Sequence, residues 1–159
     1  MQNLVVASAF LAFAVLSACS GDDGGGGEEG LLPEDYASTY TEVRDCRFSL
    51  DHDLNYQRVL ASPEALTPYT DRMAAFPTGS IVVKAQYGED DETCAGPIVT
   101  YTLMQKLDVG SAPPSLDWTW QKLDADRNVD GSYEIERCIS CHATCGVPPE
   151  GYAGTCEVP

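Results

Sequence analysis

Near the C-terminal end, Cys138-Ile139-Ser140-Cys141-His142 sets two thiols one helical turn apart, with an imidazole directly after the second. No other feature restricts the chain as much. Two thiols at that spacing can each bond one vinyl group of a haem while the adjacent imidazole turns under the iron, so the pattern reads as a c-type haem attachment site. Thioether bonds would make the haem permanent, and even a small core could then hold it. Three other readings compete. A thioredoxin-like C-x-x-C needs a βαβ setting, which the flanking sequence does not offer. Zinc could take Cys138, Cys141, His142 and Cys145 as four ligands. The cysteines could also form structural disulfides alone.

The N-terminus favours haem. Leu4 to Leu16 is an uncharged apolar run, shorter than the ~20 residues that a membrane-spanning helix needs. It reads as the core of a signal peptide over residues 1–18, although Met1-Gln2-Asn3 carries no Lys or Arg. Leu16-Ser17-Ala18-Cys19 then resembles a bacterial lipobox, with small residues beside the cut and Cys19 as the acylated thiol. The segment behind it, to Gly30, is rich in glycine and acid and cannot build a core. Residues 19–30 are therefore expected to be a flexible tether with an r.m.s. span of about 20 Å. The expected location is the bacterial cell envelope, lipid-anchored, on the periplasmic or outer-surface side. Haem c is attached there, and free thiols oxidise there.

Export also sorts the seven cysteines. With Cys19 assigned to lipid and Cys138 and Cys141 to haem, Cys46, Cys94, Cys145 and Cys156 remain. An even remainder in an oxidising compartment implies two disulfides, for which three pairings exist. Cys46–Cys94 with Cys145–Cys156 is favoured. The second would close a short C-terminal loop, and the first would tie an early strand to the loop after the Lys84 strand.

Residues 31–159 make one domain. Ten prolines and fourteen glycines favour many turns over a helical bundle. Arg44–Leu50, Asn55–Ala61, Ser80–Tyr87, Ile98–Leu107 and Trp118–Leu123 read as strands. A helix start is expected at Pro33–Tyr36, and a helix capped by Ser62 is expected to run towards Met73. A C-terminal helix is expected over Tyr133–Thr144. The fold class is α+β, mainly antiparallel sheet with a few short helices. A formal charge of −16 repels phosphate backbones, which excludes nucleic acid as a partner and suits a basic protein or a small neutral or cationic substrate. His52, between two aspartates, reads as a turn residue. Met104 reads as core, with a sixth iron ligand as its alternative; Trp118 and Trp120 read as core or pocket wall, and nothing in the sequence directs Glu134 or Glu136 at the haem.

Several of these pieces together resemble the cytochrome P-460 family over most of residues 31–159. They are Leu31-Leu32-Pro33 with Tyr36, the run Phe76-Pro77-Thr78-Gly79-Ser80-Ile81-Val82-Val83-Lys84, Tyr101 with Met104 and Lys106, and Asp117-Trp118-Thr119-Trp120. The late C-x-x-C-H follows in the family's order. The haem motif alone is generic, whereas a Phe-x-x-Gly-x-x-x-x-Lys strand followed by a tryptophan strand is more specific. The resemblance implies one haem c in a β-rich domain, often a homodimer, with His142 as proximal ligand and an open iron face. It implies an oxidoreductase acting on hydroxylamine or a related small nitrogen compound, passing electrons to a redox partner protein. Its alternative is a non-catalytic module for electron transfer or nitric oxide binding. In hydroxylamine-oxidising members a lysine bonds to the haem macrocycle, and by position that lysine matches Lys84.

Overall fold

The computed structural model describes residues 29–147 and 151–156. The signal peptide, Cys19 and the tether as far as residue 28 lie outside the described residues. Among the described residues no helix is long and apolar enough to cross a membrane.

Five strands form one antiparallel sheet in simple sequence order: β1 (Thr41–Phe48), β2 (Tyr56–Ala61), β3 (Ile81–Tyr87), β4 (Thr100–Lys106) and β5 (Trp118–Asp124). Among the described residues three short α-helices accompany it, α1 (Tyr36–Thr39), α2 (Pro63–Asp71) and α3 (Ile135–His142), with one 3-10 turn at Pro113–Ser115. The most β-branched run, Ile81-Val82-Val83, opens the central strand, where crowded side chains suit a pleated and buried surface. Alternation along the strands divides the sheet into two faces.

On one face Ile81, Val83, Ala85, Tyr101, Leu103 and Leu123 form a core covered by Leu31, Leu32, Tyr36 and Tyr40. The N-terminal segment is pinned there by the Leu31 amide donating to Gln121 Oε1 at 2.7 Å and by the Tyr36 and Tyr101 hydroxyls, 2.9 Å apart. Cys46 and Cys94 belong to this face and stand at disulfide distance, with 5.7 Å between their Cα atoms. On the other face Val59, Ala61, Val82, Met104, Trp118 and Trp120 pack under Ala65 and Tyr69 of α2 and Phe76 after it. Ile135, Cys138 and Ile139 of α3 close this second core.

The strands expected from sequence all form, with most ends within one residue and none moved by more than three. β1 starts at Thr41 and stops at Phe48, because the Ser49 amide already bonds the Asn55 carbonyl at 3.0 Å and closes the hairpin. α3 is shorter than expected at both ends. Tyr133 is drawn into a turn on the Asp130 carbonyl, and Cys145 bonds back to His142 O. α2 ends at Asp71 rather than running to Met73, since Arg72 turns left-handed (φ 53°) and closes on Pro68 O. Ser62 precedes that helix, but its side chain does not cap it. Its hydroxyl accepts the Ile81 amide at 3.0 Å, joining the helix entrance to β3 instead.

Candidate haem site

Pairing across the sheet lays out the floor of a cleft. One cross-strand row reads Arg44, Val59, Lys84, Thr102, Lys122; the next reads Ala61, Val82, Met104, Trp120. Val82 and Lys84 share the second face because they are two residues apart on one strand. α3 lies against this face. Ile135, Cys138, Ile139 and His142 fall at the i, i+3, i+4, i+7 spacing of one helical stripe. Cys138 and His142 therefore turn inward, while Cys141 stays exposed on the flank.

The third wall is the β1–β2 hairpin tip. Asp53 and Leu54 are both left-handed (φ 57° and 59°), and the Asp53 carboxylate accepts Lys122 Nζ at 2.9 Å. Lys122 in turn sits 4.4 Å from the centre of the Tyr133 ring. This strap folds the tip over β3 and β4 and carries His52 inward. The resulting cleft has a volume of about 310 Å³ and is lined by His52, Lys84, Trp120, Cys138, Cys141 and His142, among others. That volume lies at the lower end of what small-molecule and cofactor sites occupy.

His142 is held in one tautomer. Its Nδ1 lies 2.6 Å from the Gly154 carbonyl oxygen. A carbonyl only accepts, so Nδ1 carries the hydrogen and Nε2 keeps its lone pair. Burial, followed by the nearby Lys84 charge, lowers the His142 pKa to about 4, with the Gly154 bond pulling weakly the other way. The ring is neutral at physiological pH, as an iron ligand must be.

Lys84 makes the second unusual contact. Its Nζ is 2.9 Å from His52 Nε2, and His52 Nδ1 is 2.9 Å from Ser49 Oγ. Desolvation, then Arg44, lowers the Lys84 pKa to about 7, against the opposite pull of Asp51 and Cys138. The residue is partly exposed, but its amine is enclosed by protein atoms. Burial first, then Lys84 and His142, lowers His52 to about 3. A charged Lys84 can only donate, so His52 Nε2 accepts from it and Nδ1–H serves Ser49. Burial also raises the Cys138 thiol.

The residues present fit a c-type haem. Cys138 and Cys141 are the free cysteines of the described residues, and both line the cleft beside an imidazole with an available Nε2. The Trp120 indole N–H is buried in the same cleft with no partner among the described residues, so a polar group of a bound cofactor or ligand has a donor waiting. The zinc alternative loses its fourth ligand, because Cys145 is bonded to Cys156. Among the described residues no set of three or more Cys, His, Asp and Glu side chains is grouped to hold a metal ion.

The four site residues expected from sequence thus meet in one cleft: Lys84 on β3, and Cys138, Cys141 and His142 on α3. Trp120 lines it and Trp118 lies beneath as core, 1% exposed, both within the expected reading, while Met104, expected in the core, is buried there and also borders the cleft. Glu134 and Glu136 are exposed and do not line it. The reading of His52 as a turn residue is half corrected: its backbone is in the turn, but its side chain faces the cleft. Tyr133 and the Gly154 carbonyl were not anticipated at all. A chain with two histidines in all, one of them in a haem motif, was the available hint for the other.

A search among curated proteins finds no match for the chain. The cytochrome P-460 family profile matches residues 33–146, well over half of the 159. That stretch includes the whole sheet, Lys84 and the haem motif, and the chain accordingly belongs to the cytochrome P-460 family of haem-binding proteins.

Proposed function

We propose that this chain is a lipid-anchored c-type haem oxidoreductase of the cell envelope, acting on hydroxylamine or a related small nitrogen compound. In this reading Cys138 and Cys141 hold one haem through thioethers and His142 Nε2 ligates its iron. Lys84 is the lysine that bonds the macrocycle. The observation carrying the proposal is the enclosed Lys84 amine in the same cleft as the two free thiols and the ligand-ready imidazole.

Bound haem supplies one-electron redox chemistry at its iron. The chain's own residues orient the reacting groups and set their protonation. The Gly154 carbonyl holds the His142 ring and raises its donor strength. Lys84, with a pKa near 7, is part neutral at physiological pH and therefore a usable nucleophile. His52 Nε2 faces that amine and accepts its hydrogen bond, fixing the position of the amine, with Ser49 holding the far nitrogen. The apolar wall of Val82, Met104 and Trp120 limits the water around these groups. Electrons would leave to a redox partner protein, and the formal charge of −16 suits a basic one.

The test is the mass and absorption spectrum of the holo protein. Wild type is expected to carry one haem on the peptide with Cys138 and Cys141, plus a bond to the Lys84 peptide, and a broadened, red-shifted Soret band. Lys84→Ala should keep the haem, restore an ordinary c-type spectrum and abolish hydroxylamine turnover. Identical spectra and haem-peptide masses in wild type and Lys84→Ala would overturn the enzymatic reading.

A further inference from the structure

We infer that the Cys145–Cys156 disulfide and the Trp118 indole form a clasp that positions the proximal histidine. The inference rests on the proposal that His142 ligates haem iron. It concerns residues 151–156, which lie beyond the stretch matched by the family profile.

The argument begins with the Gly154 carbonyl, the partner of His142 Nδ1. It belongs to a two-residue turn in which Tyr152 and Thr155 exchange backbone hydrogen bonds at 2.9 and 2.8 Å. Its central residues, Ala153 and Gly154, both have positive φ (48° and 92°), the geometry of a primed hairpin turn. A hairpin this small does not hold itself together in water. Something else must keep the carbonyl within 2.6 Å of the imidazole.

Four attachments do so. The Cys145–Cys156 bond ties the far side of the turn to the segment directly after α3. The Gly154 and Ala153 amides donate to the carbonyls of Cys145 and Gly146 at 2.9 and 3.0 Å. Trp118 Nε1, from β5, donates to the Ala153 carbonyl at 2.7 Å. The Tyr152 hydroxyl donates to the Ala74 carbonyl at 2.7 Å. The fit leaves no room for side chains at two glycines. A Cβ on Gly151 would stand 2.5 Å from Cys145 Cβ, and one on Gly154 would stand 3.0 Å from Trp118 Nε1. Cys145 itself bonds back to the His142 carbonyl at 3.0 Å. The clasp and the histidine are therefore anchored to the same few residues, with Trp118 fixing the assembly to the sheet.

A histidine ligand whose other nitrogen donates to a fixed acceptor keeps one tautomer and one ring orientation, and it is a stronger donor to the metal. Stronger donation favours the oxidised iron. Opening the clasp frees the Gly154 carbonyl, lets the ring rotate, and leaves Nδ1–H to water. The reduction potential of the haem should then rise.

The test compares holo wild type with Cys145→Ser/Cys156→Ser, with Trp118→Phe, and with Cys46→Ala/Cys94→Ala as the control on the opposite face of the sheet. Midpoint potential and the iron–histidine stretching frequency of the reduced protein are measured. Opening the disulfide should raise the potential and lower the frequency with the haem retained. Trp118→Phe, which keeps the disulfide, should move both the same way by less. The control should move neither. Retained haem with potential and frequency unchanged in both cleft-side variants would overturn the inference. A wild type with no haem would sink the functional reading instead. The clasp is then still decided by ¹⁵N NMR of the two imidazoles in the haem-free chain. A single Nδ1–H tautomer for His142 that becomes mixed in Cys145→Ser/Cys156→Ser supports it, and no change refutes it.

Discussion

Removing the Cys46–Cys94 bond should cost this domain a large share of its stability and leave its haem spectrum alone. The two cysteines are 48 positions apart, and β2, α2 and β3 all lie within the closed loop. In the chain-entropy description, freeing a loop of that length returns about 4 kcal/mol to the unfolded state, against about 3 kcal/mol for the 11-position separation of Cys145 and Cys156. Cys94 is 5% exposed in the first core, so alanine is the better replacement, because a serine hydroxyl there would be buried. Whole domains have about 5–15 kcal/mol in hand. With a urea dependence of about 1.5 kcal/mol per molar, Cys46→Ala/Cys94→Ala should lower the unfolding midpoint by roughly 2–3 M. Because the pair sits on the face opposite the cleft, the absorption spectrum of the folded variant should match wild type. A loss under about 1 kcal/mol would refute the loop-entropy argument. A changed spectrum would refute the separation of the two faces.

Before haem attachment, Lys84 should be the first lysine acylated by a small amine-reactive reagent at pH 7, read by peptide mass, since a pKa near 7 leaves about a thousandfold more neutral amine than an ordinary lysine. Because folding lowers that pKa, the unfolded chain binds more protons between about pH 7 and 10.5. Stability before haem attachment should therefore rise across that window and level off below pH 7, and Lys84→Met should flatten the rise in urea titrations. Ser62→Ala should destabilise by about 1–3 kcal/mol in the same assay, because it strands the buried Ile81 amide rather than merely uncapping a helix.

Much of the sheet was legible from local pattern. Ile81–Tyr87 is both β-branched and bounded by a Pro-Thr-Gly turn, and nothing else in the fold competes for it. Setting aside the thiols expected for haem and lipid left four cysteines and three possible pairings, and the favoured pairing matches the two pairs that stand at disulfide distance. What stayed hidden depends on contacts distant in sequence. Asp51-His52-Asp53 has the composition of any solvated turn. The Asp53–Lys122 bridge, across 69 positions, and the Lys84–His52 contact, across 32, hold the tip inward and give His52 a role. The Gly154 carbonyl is a backbone atom, and no residue type announces it. Ser62 misled for a related reason. The local rule offers its hydroxyl to the helix behind it, but a strand amide from 19 positions away takes it first.

The sheet also explains how Val83 and Lys84, adjacent in sequence, can serve opposite needs. Val83 is fully buried in the first core, and Lys84 reaches into the cleft on the second face. A slip of β3 by one residue would exchange them, placing an amine in an apolar core and a valine in the cleft. Such a slip must be prevented from both sides of the strand. β2 pairs with β3 over six consecutive residues, and β4 pairs with it over six more without a bulge. The irregular register lies instead between β1 and β2, at the edge, where the Cys46–Cys94 bond anchors the strand to the loop after β3. The disulfide is thus placed where hydrogen bonding is least regular, and Lys84 where it is most regular.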